Sequence, residues 1–250
     1  AEKKVLQGTT PPDAANKIKV SADKALGLIH NQSAEGNHHL YNTIEDIKAI
    51  SYLGKYYAHK INAATNLAMY NSSKDPNMHE AMIKELNASA LYWRYFASTA
   101  LARYKNPLWT NRVGHVDWKN LYQYVLKDIV DQQGEVVLQS MDSHPGGTIL
   151  EAESAREENV RKFSEIEGYT GSGYVTATGD DNKLFWTYEA PSPGAYILEF
   201  RYNSDNNTAK TPVYINGSVA TEITFWPSGT AENWVWDKVQ VNLPAGDCEI

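Results

Sequence analysis

Two carboxylates stand two residues apart in Ile149-Leu150-Glu151-Ala152-Glu153. On a strand, residues i and i+2 share a face. Read that way, Glu151 and Glu153 repel each other unless a cation sits between them. Calcium takes such oxygen ligands, roughly six to eight of them at about 2.3–2.6 Å. A solvated pair at a strand start is the other reading. The second constellation is aromatic and comprises Tyr169, Tyr174, Trp186, Trp226, Trp234 and Trp236. Four tryptophans after residue 135 are more than one small core needs, so some are expected at the surface. An exposed ring with a few hydrogen-bonding groups beside it suits a ligand with an apolar face and a polar rim. Trp186 and Trp236 serve equally well as core residues. Tyr174 follows Gly171-Ser172-Gly173, which lets the backbone approach closely and leaves the ring at a loop edge. Arg201, Asn203 and Asp205 form a polar stretch that reads either as ligand contacts or as a plain turn.

Other chemistry is sparse. His38-His39 lies near Glu45-Asp46, and His59 falls in mid-helix, but no His-x-x-x-His spacing places two imidazoles on one helix face. There is no Gly-x-Ser-x-Gly, no phosphate loop and no zinc signature. A single cysteine, Cys248, excludes an internal disulfide framework and a multi-cysteine zinc site.

The elements that must position these residues change character along the chain. From Asp13 to Gln133 the apolar spacing is helical. Pro11-Pro12-Asp13 starts the first helix with Asp13 as its cap. A second runs from about His39 to Asn71. A third follows Asp75-Pro76 and runs to about Lys105, and a last one is capped by Asp117. Short connections between four helices predict an antiparallel bundle. Its many tyrosines, among them Tyr52, Tyr56, Tyr57, Tyr95 and Tyr104, are expected as core with hydroxyls at the rim. Residues 136–148 read as a linker. After Ile149 the period becomes two, with strands at Tyr196–Tyr202, Thr211–Ile215, Ala220–Phe225 and Lys238–Leu243. Turn signals such as Asn216-Gly217 separate them, and strands at this spacing imply a β-sandwich.

Composition agrees with a globular chain of one or two domains: 250 residues, 42% hydrophobic and 21% charged. No apolar run approaches the roughly 18 residues that a spanning helix needs. Residues 1–135 carry 16 Lys and Arg against 13 Asp and Glu, and residues 136–250 carry 7 against 17. The acidic half is a poor phosphate binder, which argues against a nucleic-acid partner. No apolar segment follows Ala1-Glu2-Lys3-Lys4, as expected of a mature or excised fragment.

The second half also carries an ordered set of motifs: Glu151-Ala152-Glu153, then Gly168-Tyr169-Thr170-Gly171-Ser172-Gly173-Tyr174-Val175, Pro193-Gly194-Ala195-Tyr196, Phe200-Arg201-Tyr202-Asn203, Asn216-Gly217, Trp236 and Leu243-Pro244-Ala245-Gly246. This set resembles the family 35 carbohydrate-binding modules and their family 6 relatives. The resemblance implies a β-sandwich that binds plant or microbial glycans, usually appended to secreted polysaccharide-degrading enzymes. It implies that Tyr174 and Trp236 hold the sugar ring, with Trp234 the rival for the second role. Arg201 and Asn203 would add polar contacts, and Glu151 and Glu153 would hold a structural calcium. The family's asparagine and aspartate of a final strand have no counterpart, because the sequence stops at Asp247-Cys248-Glu249-Ile250. The last strand is therefore expected to be absent, its edge covered by another segment, and Cys248 buried. In the first half, Tyr56-Tyr57-Ala58-His59-Lys60-Ile61 with Asp117-Trp118 looks like helical domains that follow catalytic barrels in some bacterial glycan-active proteins.

The expectation is a multi-domain α and β chain. A helical bundle over 1–135 and a linker over 136–148 lead into a β-sandwich over 149–250. Its expected function is non-catalytic binding of a polysaccharide or oligosaccharide. It would target a larger bacterial glycoside hydrolase, covalently linked to it, in a secreted, periplasmic or cell-surface setting. The alternatives are a glycan-active enzyme with its site in the helical half or at the domain junction, and a structural spacer with a non-binding sandwich.

Overall fold

The computed structural model describes residues 8–138 apart from 31, 33, 35, 36 and 113. It also describes residues 147–250 apart from 178, 180, 205–208 and 229–231. The chain divides into two compact units. One is Ala1–Ala34 with His39–Leu138, and the other is Gln139–Ile250 with Glu35–His38. Most of the expected linker, residues 139–146, lies outside the described residues.

The first unit is built on four helices: α1 (Pro11–Ile29), α2 (His38–Ser73), α3 (Pro76–Leu101) and α4 (Trp118–Asp131). The cap of α1 is Thr10, not Asp13. Two prolines occupy the first turn, where a missing N–H costs nothing, so the helix starts earlier and Asp13 falls at its third position. There Asp13 completes a capping box: Thr10 Oγ1 accepts from the Asp13 N–H at 3.3 Å while the Asp13 carboxylate accepts from the Thr10 N–H at 3.3 Å. Asp75 and Asp117 cap α3 and α4 as the sequence suggests. Helix α3 ends at Leu101. After it comes a short hairpin, β1 (Leu108–Thr110) and β2 (Gly114–Val116), too brief to show a period in the sequence.

Helices α3 and α4 pack together, with Met82, Leu86, Ala90, Trp93 and Ala97 of α3 and Tyr122, Val125 and Ile129 of α4 buried. Of the tyrosines, Tyr52 and Tyr95 are buried with rings 5.5 Å apart, whereas Tyr57 and Tyr104 are exposed. Polar pairs tie α2 to each of its neighbours: Lys55 to Asp23 at 2.6 Å, His59 to Glu85 at 2.7 Å, and Lys60 to Asp128.

The second unit is an antiparallel β-sandwich. Its strands are β3 (Arg156–Glu158), β4 (Val160–Phe163), β5 (Tyr174–Ala177), β6 (Lys183–Phe185), β7 (Thr187–Ala190), β8 (Gly194–Tyr202), β9 (Ala209–Ile215), β10 (Ser218–Phe225), β11 (Val235–Leu243) and β12 (Gly246–Glu249). All pairings are antiparallel: β3 with β6, β4 with β5, β7 with β12, β8 with β11, and β9 with β10. Each of the four strands read from the sequence is present and starts earlier than alternation alone indicated. Asn216-Gly217 forms the β9–β10 turn with φ of 50° and 77°, as a two-residue hairpin requires.

Alternation along β11 points Val235, Asp237, Val239, Val241 and Leu243 inward. Val239, Val241 and Leu243 meet Ala190, Val213, Ile223 and Cys248, with Tyr196, Leu198 and Phe200 of β8 packed against them. Cys248 is fully buried. Reciprocal backbone bonds between Trp186 and Ile250, at 3.0 and 2.9 Å, anchor the end of β12.

One local expectation is corrected. Glu151 and Glu153 are not on a strand: Ala152–Ser154 is a single 3-10 turn. Among the described residues no strand pairs with this segment, and its backbone bonds within itself and accepts from the Trp186 indole N–H at Glu151 O, 3.3 Å away. Ser154 N–H donates to Glu151 O and Ala155 N–H to Ala152 O, both at 3.2 Å.

Candidate functional site

The outward face of the β8–β11 pair collects four of the sequence-derived residues. Inward residues of β8 are Phe200 and Tyr202, so Arg201 points outward, directly opposite Trp236 of β11. Trp234 lies just ahead of β11, two residues from Trp236. Asn203 lies just beyond β8, two residues from Arg201. The Arg201 guanidinium sits 5.1 Å above the Trp234 ring and donates to the carbonyl oxygen of Gly168. Tyr174, at the start of β5, meets Trp234 edge-on with ring centroids 5.5 Å apart. Tyr169 and Phe163 flank Tyr174 at 6.2 and 6.1 Å.

The rings differ in what they offer a ligand. Trp234 is only 9% exposed. Its indole N–H donates to Glu167 O at 3.0 Å, and Arg201 lies over its face. Trp236 and Tyr174 are half-buried and keep open surface. The Nδ2 of Asn203 is enclosed without a hydrogen-bond acceptor. Asp205 lies outside the described residues.

The carboxylate pair belongs to the same neighbourhood through one loop. Despite the turn at 152–154, both side chains reach residues 170–172. Thr170 Oγ1 donates to Glu151 at 3.0 Å, and the Ser172 N–H donates to Glu153 at 2.6 Å. A Cβ on Gly171 would lie 2.1 Å from Glu153 Oε1 and 3.0 Å from Glu151 Cδ, and φ there is +64°. Only glycine fits at that point. Burial pushes the Glu153 carboxyl up, but hydrogen bonds from its own N–H, from Ser172 and from the Gly173 N–H outweigh it. The net effect is a carboxyl held below the usual carboxylate value. Among the described residues no third acidic, histidine or cysteine side chain joins them as a ligand cluster. The two converging carboxylates are oxygen ligands of the kind that a hard cation takes.

The sequence reading missed Tyr202, Asp237 and Ser228, which lie beneath this face. The signal was present: Asp237 occupies a core position in Val235-x-Asp237-x-Val239-x-Val241, where a charge needs a partner. His59 is held by Glu85 in the helical unit.

No family model matches the chain. A cycloisomaltooligosaccharide glucanotransferase of Niallia circulans is 30% identical over 105 residues, which is 42% of this chain and 11% of that protein. A mannan endo-1,4-beta-mannosidase of Thermothelomyces thermophilus is 32% identical over 100 residues, 40% of this chain and 19% of that protein. The chain thus spans between a tenth and a fifth of these relatives. A family 35 carbohydrate-binding module of Clostridium thermocellum is 28% identical with a TM-score of 0.40, covering 41% of this chain and 81% of that one. The chain is therefore similar, over about two fifths of its length, to family 35 carbohydrate-binding modules and to segments of glycan-active enzymes.

Proposed function

We propose that the β-sandwich unit is a non-catalytic glycan-binding module of the family 35 type, which holds a larger polysaccharide-degrading protein on its substrate. The observation that carries this reading is that Trp236 stands opposite Arg201 on the outward face of the β8–β11 pair, while Arg201 and Tyr174 both pack on Trp234. A pyranose ring stacks its C–H face on an aromatic ring and hydrogen-bonds around its rim. Trp236 and Tyr174 supply open ring surface. Arg201 supplies donors at the edge, and Asn203, with its Nδ2 enclosed, lies beside it. Trp234 acts from beneath, holding Arg201 and Tyr174 in place. The aligned stretches in the relatives match the length of this unit, and those relatives are named for glycan chemistry.

Within this reading Glu151 and Glu153 hold a calcium ion. The ion would neutralise the two carboxylates and fix the loop that leads to Tyr174. The setting that follows is a secreted or surface location, with a catalytic domain on the same polypeptide.

Affinity electrophoresis on a polysaccharide panel, with calcium and with EDTA, tests the proposal. Retardation by at least one glycan is expected. No retardation by any glycan in either condition, with the fold intact, overturns it in favour of a spacer. Reducing-sugar release from the same panel reads the enzyme alternative.

A further inference from the structure

Beneath the aromatic face lies a polar latch. Tyr202 points inward from the end of β8, and its hydroxyl donates to the buried carboxylate of Asp237 on β11. The same oxygen accepts from the Trp226 N–H at 2.8 Å, with the Trp226 carbonyl oxygen 3.0 Å away. One residue past Asn203, Ser204 and the fully buried Ser228 are cross-bonded. The Ser228 N–H donates to Ser204 O at 2.7 Å, the Ser204 N–H donates to Ser228 Oγ at 3.0 Å, and Ser228 Oγ donates back to Ser204 O at 2.8 Å. Asn233 Nδ2 then donates to Ser228 O at 3.2 Å. These bonds join both ends of the β10–β11 connection to the end of β8. Trp234 follows Asn233 directly, and Asn203 sits between Tyr202 and Ser204.

We infer that Tyr202, Asp237 and Ser228 are positioning residues for the glycan face. They touch no ligand and act by fixing where the backbone delivers Trp234 and Asn203. The chemistry suits this role. A phenol with one proton can donate once, and the carboxylate takes that donation, leaving the oxygen free to receive the Trp226 N–H. A buried carboxylate is costly without such partners, so its place on the core face of β11 calls for a function beyond packing. The inference rests on the reading that this face binds glycan.

The test uses the intact chain with Tyr202→Phe and Ser228→Ala. Tyr196→Phe is the matched control. Tyr196 lies six residues away on β8, where its hydroxyl donates to the backbone oxygen of Ser192 at 2.6 Å, so it loses a phenol hydrogen bond away from the face. Two readouts are needed. One is the indole N–H resonance of Trp234 in a ¹H–¹⁵N spectrum, assigned with Trp234→Phe. The other is affinity for a glycan that retards the native protein. Tyr202→Phe and Ser228→Ala are expected to move the Trp234 resonance and to weaken binding roughly tenfold, the scale of one lost hot-spot contact. Tyr196→Phe should lower the melting temperature and change neither readout. An unmoved Trp234 resonance in both latch variants overturns the inference, as does a moved resonance with unchanged affinity. If the native protein binds no glycan, the functional reading fails, while the resonance still reports whether the latch positions Trp234.

Discussion

Replacing Gly173 by alanine is the sharpest test of how the Tyr174 wall is placed. The added Cβ would lie 2.5 Å from the carbonyl oxygen of Phe163 and 3.5 Å from its carbon. Both are backbone atoms of β4, the partner of β5, and Phe163 is paired with Tyr174 itself. A backbone carbonyl cannot rotate aside as a side chain does. Restoring an ordinary contact of 3.4 Å requires the strands to part by about 0.9 Å. Overpacking of this kind costs about 1–3 kcal/mol, and stretching one ladder hydrogen bond adds about 1 kcal/mol. In a unit of this size each kcal/mol moves the melting temperature by about 4–8 °C. The unit should therefore melt roughly 10 °C or more below the native protein, with glycan affinity reduced as Tyr174 shifts. Differential scanning calorimetry of the intact chain measures the first effect and affinity electrophoresis the second. Gly179→Ala is the control, because nothing lies within 4 Å of its Cβ. A Gly173→Ala transition within a degree or two of the Gly179→Ala transition would refute the reasoning.

Tyr174→Ala and Trp236→Ala should each weaken glycan binding roughly tenfold with little change in melting; unfolding of the Trp236 variant would instead assign that ring to the core. If Glu151 and Glu153 hold calcium, EDTA should lower the melting temperature of the sandwich and added calcium restore it, and the shift should vanish in Glu153→Ala; an equal shift in that variant excludes the pair. Burial raises the Glu85 carboxyl, but His59 at 2.7 Å and Asn62 bring it below its usual value of 4.5. A depressed folded-state pKa gives stability that is present above the ordinary value and lost as pH falls through the folded one. The helical unit should therefore weaken in acid below about pH 4.5, and Glu85→Gln should flatten that limb in a pH series of melting curves. Asp117→Ala should cost the helical unit about 1 kcal/mol, since the carboxylate accepts from two α4 N–H groups and from Asn106; a loss under a few tenths, measured by urea denaturation, would show that the cap is dispensable.

The change of period near residue 135 was legible because helices and strands repeat differently, and both sides of it hold long elements. Asn216-Gly217 named its own turn. Gly171-Ser172-Gly173 announced a close backbone approach, and the structure shows one with Glu153 and one with Phe163. The Glu151–Glu153 pair was misassigned to a strand because i, i+2 spacing is silent about whether a partner strand exists. The carboxylates still converge, but through a 3-10 turn. The role of Trp234 was not readable, since it depends on Glu167 O and Arg201, which are distant in sequence. The α3–α4 hairpin escaped because three-residue strands carry no period.

Cys248 is the chain's one thiol. It is fully enclosed on β12, with Sγ 3.4 Å from Pro244 O and 3.5 Å from Gly246 O. Its core neighbours all belong to the sandwich. A thiol reagent can therefore reach it only when β12 leaves β7 or the sandwich opens altogether. Labelling kinetics under native conditions become a clock for that opening, in the sense that local openings span from near zero up to the global stability. The clock is blind to the helical unit, which contains no cysteine. The stability of one unit can thus be followed in the uncut chain without adding a probe.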